Sequence, residues 1–186
     1  MSTTKHLITV DDLDDYPDDD GNRYELIEGE LLVSSAPGLP HQLVLQNLQG
    51  LLYLFLQDHP IGKVAPGAGA IFSKYDAVIP DLAFVSNERW DQIVANDRFE
   101  AAPNLVIEIL SPGRENRRRD LELKNRLYGN YGVEEYWIVD PENRLVTVFA
   151  LNDGILEELT VANHSEEVQS TVLVDLHLAV DKLFNT

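Results

Sequence analysis

The stretch that most constrains the fold of this chain is Leu105-Val106-Ile107-Glu108-Ile109-Leu110, an apolar run interrupted by one glutamate. Successive side chains of a β-strand point to opposite faces, so this run presents apolar side chains on both faces. Such a strand belongs in the interior of a sheet that is covered on both sides. An ionised carboxylate there costs on the order of several kcal/mol unless a cation, a metal ion or strong donors compensate it. Glu108 is therefore our first candidate for a functional residue.

The composition indicates one globular domain. The chain has 186 residues, of which 44% are hydrophobic and 25% charged, and this length can bury a sizeable core. The absence of cysteine excludes disulfides, thiolate metal sites and a cysteine nucleophile. No apolar leader or membrane-length apolar run is present, so we expect a cytoplasmic protein. We predict an acidic N-terminal lead-in over residues 1–23 and a single domain over residues 24–186.

The charge is unevenly distributed along the chain. A net charge of −18 argues at first against a nucleic-acid partner. However, six of the 14 basic residues lie between Arg114 and Arg126, directly after the strand that holds Glu108. Seven acids lie in the N-terminal segment, which we interpret as solvated: Asp11, Asp12, Asp14, Asp15, Asp18, Asp19 and Asp20.

Hydrophobic periodicity predicts a mixed α/β sheet with a helix on either side. A hairpin is predicted at Glu28-Gly29, between strands 24–27 and 30–33. One helix is predicted over 41–57 and a second over 115–131, with Leu123, Leu127 and Tyr131 as its buried stripe. Further strands are predicted at 63–65, 70–73, 80–85, 105–110, 135–140, 145–151, 157–161 and 172–176, before a short C-terminal helix.

Two carboxylates lie on neighbouring predicted strands, Asp81 at the start of one and Glu108 within the next. Asp120 and Lys124 follow on the second helix, four residues apart and so on one face. A carboxylate pair can hold a hard divalent cation and leave positions for water and a substrate phosphate. The cation acidifies a water, and a nearby ammonium can stabilise developing charge. This combination is a template for phosphodiester hydrolysis.

The order of these motifs resembles the PD-(D/E)XK nuclease superfamily and, within it, the restriction-endonuclease-like Uma-two family. The shared features are Tyr24-Glu25-Leu26-Ile27-Glu28-Gly29-Glu30, His41, Pro80-Asp81-Leu82, Val106 to Pro112, Asp120, Lys124, Tyr128 and Gly132 to Pro141. The resemblance spans about residues 24 to 145. It implies a restriction-endonuclease-like core, Mg²⁺ dependence with Mn²⁺ as a substitute, and DNA cleavage.

The resemblance also assigns site residues. Asp81 and Glu108 match the metal-binding acids, and Glu25 matches the leading acid of the family, which would complete the site. The superfamily lysine normally stands two residues after the glutamate, but that position is Leu110 here. Lys124 on the next helix is the matching position and would assist at the attacking water or the phosphate.

Each of these residues also has a simpler interpretation. Glu108 could be the structural partner of a buried arginine or lysine, and Lys124 could pair with Asp120 on the surface. Glu25 could be a solvated hairpin residue, and we expect His41 to be a structural or supporting residue. Four aromatic residues are expected to pack in the core: Tyr128, Tyr131, Tyr136 and Trp137.

Two classes of function therefore remain open, an endonuclease and a nuclease-derived interaction or regulatory module without turnover. A hydrolase for a small phosphate ester is a third, weaker alternative. The run Arg117-Arg118-Arg119 is either a solvated face or a set of contacts to the DNA backbone. We expect a homodimer, because duplex cleavage needs two sites, and strands 136–139 and 145–151 could leave a hydrophobic face.

Overall fold

The computed structural model describes residues 7–17 and 20–185. Asp18 and Asp19 of the acidic segment, together with residues 1–6, lie outside the described residues. A 3₁₀ helix, Val10–Asp15, follows Thr9. The amides of Ile8 and Val10 donate to the carbonyls of Gly29 and Lys74 at 3.0 and 2.9 Å, so this part of the N-terminal segment lies against the domain.

The chain forms fourteen strands and five α-helices over the described residues. The strands are β1 (Asn22–Ile27), β2 (Glu30–Ser35), β3 (Gly62–Pro66), β4 (Ala70–Ser73), β5 (Asp76–Val78), β6 (Leu82–Ser86), β7 (Val94–Ala95), β8 (Arg98–Phe99), β9 (Leu105–Ile109), β10 (Glu135–Asp140), β11 (Leu145–Asn152), β12 (Ile155–Asn163), β13 (Glu167–Val168) and β14 (Leu178–Ala179). The helices are α1 (Leu39–Asp58), α2 (Asn87–Ile93), α3 (Arg114–Arg118), α4 (Asn125–Tyr131) and α5 (Asp181–Phe184). A π-helical segment, Arg119–Lys124, joins α3 to α4.

The central sheet has the strand order β12-β11-β10-β9-β6-β3 and is mixed, because β9 and β10 are parallel while the other neighbours are antiparallel. All five residues of β9 are buried. Leu105, Ile107 and Ile109 pack in one core with α1, while Val106 packs in a second core on the opposite face. The prediction of an interior strand with two apolar faces is therefore confirmed.

A second six-stranded sheet, in the order β2-β1-β5-β4-β8-β7, lies beside the second core. It begins with the predicted hairpin, in which Ile27 pairs with Glu30 across a turn where Glu28 and Gly29 both have positive φ. Such a turn matches the twist of the two strands. The mixed α/β class with flanking helices is confirmed, and the structure adds this second sheet to the one that was predicted.

Two local predictions were wrong. Residues 172–176 form turns rather than a strand, because Ser170 and Thr171 donate to the buried carboxylate of Glu135 at 2.6 Å and hold the chain there. Tyr131, assigned to the buried stripe of the second helix, is 37% exposed.

The strands proposed as a dimer face are not free either. Residues 136–139 are buried within β10, and no residue of 145–151 in β11 is exposed, so these strands leave no free hydrophobic face. The edge strands of the central sheet are β12 and β3.

Among residues 7–17 and 20–185, no helix is both long enough and apolar enough to cross a membrane.

Candidate active site

The two predicted acids lie side by side on adjacent strands of the central sheet. Leu82 pairs with Ile107 and Ala83 with Val106. One step further along this antiparallel register places Asp81, just before β6, opposite Glu108 in β9. Both residues are 3% exposed, and both line a cavity of about 180 Å³.

Lys124 reaches this cavity from the π-helical segment. Its Nζ atom lies 2.8 Å from Oε1 of Glu108 and 2.8 Å from Oε1 of Glu25, and the residue is 1% exposed. The alternative in which Lys124 pairs with Asp120 on the surface was wrong. π turns are rare and occur frequently at functional sites.

Glu25 enters the site from the second sheet. It is 2% exposed, so its interpretation as a solvated hairpin residue was wrong. The amide of Ile79, just after β5, donates to Oε1 of Glu25 at 2.8 Å. Glu25 is therefore the residue of the second sheet that lies at the carboxylates of the central sheet. The site lies where the two sheets meet.

Asp81 is held at both of its oxygens. Arg23 donates to Oδ1 at 3.0 Å, the amide of Ile109 donates to Oδ2 at 2.9 Å, and Nε2 of His41 lies 2.9 Å from Oδ2. Burial alone would raise the pKa of Asp81, but the hydrogen bond and charge of His41, with the Ile109 amide and Lys124, lower it below its ordinary value. Asp81 is therefore ionised in a fixed orientation.

Glu108 accepts a second hydrogen bond at Oε1, from the hydroxyl of Tyr128 at 2.8 Å. Burial, together with the carboxylates of Asp81 and Asp120, raises the pKa of Glu108 to about 8 in spite of the Lys124 ammonium. Burial alone would lower the pKa of Lys124, but the carboxylates around it hold that pKa above its ordinary value. The lysine therefore stays charged among acids.

The arginine run splits into three different environments. Arg117 donates to Asp140 at 2.9 Å, and Arg119 binds both oxygens of Asp120 at 2.7 and 3.1 Å. The side chain of Arg118 is 56% exposed and makes only long contacts to glutamates of its own helix. Of the three, Arg118 therefore fits the expected solvated face, while Arg119 lines the carboxylate cavity.

The residues present fit a divalent cation bound by two acids. Within the described parts of the chain, no three His, Asp or Glu side chains are grouped so as to hold a metal ion. Mg²⁺, however, is usually bound through one or two carboxylates, with waters and substrate phosphates filling its octahedron. Oε2 of Glu108 accepts no hydrogen bond from any described residue, and Glu108 and Asp81 both line the cavity. These two acids are the ones that could hold the ion.

Sequence reasoning missed two contributors to the site. Arg23 stands two residues before Glu25, so the period of a strand places both on one face and could have indicated it. Tyr128 stands four residues after Lys124, on the same helical face, yet it was assigned to core packing alone. His41 was expected as a supporting residue, and its contact to Asp81 fits that role.

The architecture is that of the restriction-endonuclease-like class of folds. A solved structure titled "Crystal structure of a putative nuclease belonging to DUF820", from Anabaena variabilis, matches with a TM-score of 0.76 at 22% sequence identity. The match covers 95% of this chain and 97% of that chain, and at this identity it shows the fold.

The chain belongs to the Uma2 family, described as "Putative restriction endonuclease", whose family model matches residues 10–181. The family that the sequence motifs indicate is thereby confirmed, and the membership supports a nuclease-like protein. Among curated proteins, none matches the chain.

Proposed function

We propose that the protein is a Mg²⁺-dependent endonuclease that hydrolyses DNA phosphodiester bonds in the cavity lined by Asp81 and Glu108. One observation supports this function above the others. Two carboxylates stand opposite each other on adjacent buried strands, and the Lys124 ammonium lies 2.8 Å from one of them. Burying these charges together is costly for folding, which favours a chemical role for them.

Asp81 and Glu108 would hold the Mg²⁺ ion, which Mn²⁺ could replace. When bound, such an ion lowers the pKa of a water and neutralises charge on the phosphate. Arg23 and His41 fix the two oxygens of Asp81, and Tyr128 fixes Glu108, so the acids need no rearrangement when substrate enters.

Lys124 has two roles in this proposal. In the free protein it neutralises Glu108 and Glu25. With substrate present, its ammonium would donate to the attacking water or to a phosphate oxygen, and Glu25 would keep it oriented. The guanidinium of Arg119 lines the same cavity and adds positive charge near the phosphate.

Contacts outside the cavity would come from the arginine region. Arg118 is the exposed member of the run and would contact the DNA backbone, while Arg117 supports the loop around Asp140. Because phosphate contacts release counterions, binding should weaken as salt rises.

Plasmid nicking tests the function directly. We expect the wild-type protein to nick DNA in Mg²⁺ and not in EDTA, and Glu108→Gln to lose activity by about 10²-fold or more, as for loss of a charged group at a reaction centre. Glu115→Gln is the matched control, because the Glu115 side chain is 86% exposed on a neighbouring helix. Equal nicking by wild type and Glu108→Gln would reject the assignment.

A second candidate is a nuclease-derived interaction or regulatory module without turnover. It is favoured by the net charge of −18 and by the pairing of Glu108 with Lys124, which compensates the buried acid without any metal. Calorimetric titration with Mn²⁺ separates the two. Heat that disappears in Asp81→Asn supports a metal site, whereas a protein that does not respond to Mn²⁺ supports the module.

A further inference from the structure

A second, more apolar cavity adjoins the carboxylate cavity. It has a volume of about 470 Å³ and shares four wall residues with its neighbour: Gly38, His41, Ser111 and Pro112. The remaining wall comes from the start of α1, the end of β9 and the turn after β10. Anything that occupies both cavities therefore has a polar part at the acids and an apolar part next to it.

The walls of this second cavity suit a flat apolar face. Three proline rings line it, those of Pro40, Pro112 and Pro141, and the buried side chain of Leu110 lies beside them. Proline rings are rigid, and proline is one of the apolar side chains that DNA-binding proteins insert between base steps.

The charged groups of Asp140 and Arg117 in this cavity are already engaged, whereas Nδ1 of His41, another wall residue, is buried and has no hydrogen-bond partner among the described residues. Oδ1 of Asp140 accepts from the amides of Glu142 and Asn143, and Oδ2 accepts from Arg117 and the Asn143 side chain. The cavity therefore offers mainly apolar contact area, and His41 is the wall residue that has an unpartnered polar atom.

We propose that this apolar cavity binds an unpaired nucleobase next to the phosphate that is cleaved, so that the preferred substrate is single-stranded DNA. The inference rests on the proposed function, because the phosphate position is the carboxylate cavity. A base within a duplex is paired and stacked on both sides, so it loses pairing and stacking energy when it enters a pocket. An unpaired base loses less.

Binding measured without turnover tests the pocket by itself. The probe is a short single-stranded oligonucleotide with one 2-aminopurine, titrated by fluorescence in Ca²⁺. Pro40→Glu places a charge at the cavity wall in the first turn of α1, where glutamate is well tolerated. We expect its Kd to rise about tenfold, because the charge replaces part of the apolar wall that the base would contact.

Leu39→Glu is the matched control, since Leu39 is 71% exposed, adjoins Pro40 and lines neither cavity. Its Kd should stay within about twofold of wild type, because phosphate repulsion by one surface charge is weak at moderate salt. Pro141→Glu, on another wall, provides a second variant in case Pro40→Glu does not fold. The proposed base-binding pocket would be contradicted by an unchanged Kd in a folded cavity variant. An equal rise in the Kd of Leu39→Glu would contradict it as well.

Cleavage then separates this inference from the proposed function. We expect the wild-type protein to cleave single-stranded DNA at least about tenfold faster than the matching duplex, and Pro40→Glu to raise KM with little change in kcat. Faster or equal cleavage of the duplex would overturn the single-strand inference while leaving the nuclease intact. Equal cleavage by the wild-type protein and Glu108→Gln would instead contradict the proposed nuclease function.

Discussion

Lys124 is the cation that pairs with the buried acids of the site. Its ammonium lies 2.8 Å from Glu25 and 2.8 Å from Glu108, in a region where these three residues are at most 3% exposed. Removing one partner of a buried ion pair leaves an uncompensated charge, which costs about 3–5 kcal/mol. The same residue therefore stabilises the fold and, in the proposed function, acts on the phosphate.

We predict that Lys124→Met lowers the free energy of unfolding by about 3–5 kcal/mol, measured by urea denaturation in EDTA at a pH above the Glu108 pKa of about 8, where Glu108 is ionised. The double variant Lys124→Met/Glu108→Gln should recover part of the loss, because the buried acid left without its cation is then neutral. Lys182→Met is the control, as Lys182 is exposed on α5 and should change stability by no more than about 0.5 kcal/mol. A loss below about 1 kcal/mol for Lys124→Met would show that the pair does not hold the interior as described.

The elements that position the acids were predictable because their patterns are local. Alternation and apolar runs identified β1, β9 and α1, and Glu108 was identified because it interrupts one of these runs. The π-helical segment was not predictable, since the sequence reads as one continuous helix from 115 to 131. Glu25, 99 residues before Lys124, is its ion-pair partner, and only the packing of the two sheets brings them together. The sequence therefore indicates the candidate acids and lysine, but not the contacts that Arg23 and Tyr128 make with those acids.

The edge strand β12 is where we propose that a homodimer forms. Three of its apolar residues are exposed, Ile155 at 63%, Leu159 at 48% and Val161 at 42%. If a second copy pairs antiparallel about Leu159, Glu157 lies opposite Val161, and no two glutamates lie opposite each other. Leu159 is the bulged residue of β12, because Val148 pairs with Thr160 and Phe149 with Glu158, so the free edge is offered in two shorter runs on either side of it.

We predict that Leu159→Lys converts the dimer to a monomer in sedimentation experiments, because a lysine at the centre of the pair would face its own copy. Leu54→Lys is the matched control, since Leu54 is 63% exposed on α1, away from β12. A wild-type protein that sediments as a monomer, or a dimer that is unaffected by Leu159→Lys, would contradict this interface.

The site forms where the two sheets of the molecule meet. The central sheet supplies Asp81 and Glu108, the second sheet supplies Arg23 and Glu25, and the helical segment after β9 supplies Lys124. With a net charge of −18, the chain would have to attract the proposed DNA substrate locally rather than through its overall field. A divalent cation among the acids would provide that local attraction.

In the proposed function Asp81 and Glu108 share one divalent ion, and anomalous diffraction from crystals grown with Mn²⁺ would locate that ion. We predict one strong peak in the carboxylate cavity, at about 2.1 Å from an oxygen of each acid, and no peak in Asp81→Asn. An empty cavity at saturating Mn²⁺, with Glu108 still bound only to Lys124 and Tyr128, would contradict the claim.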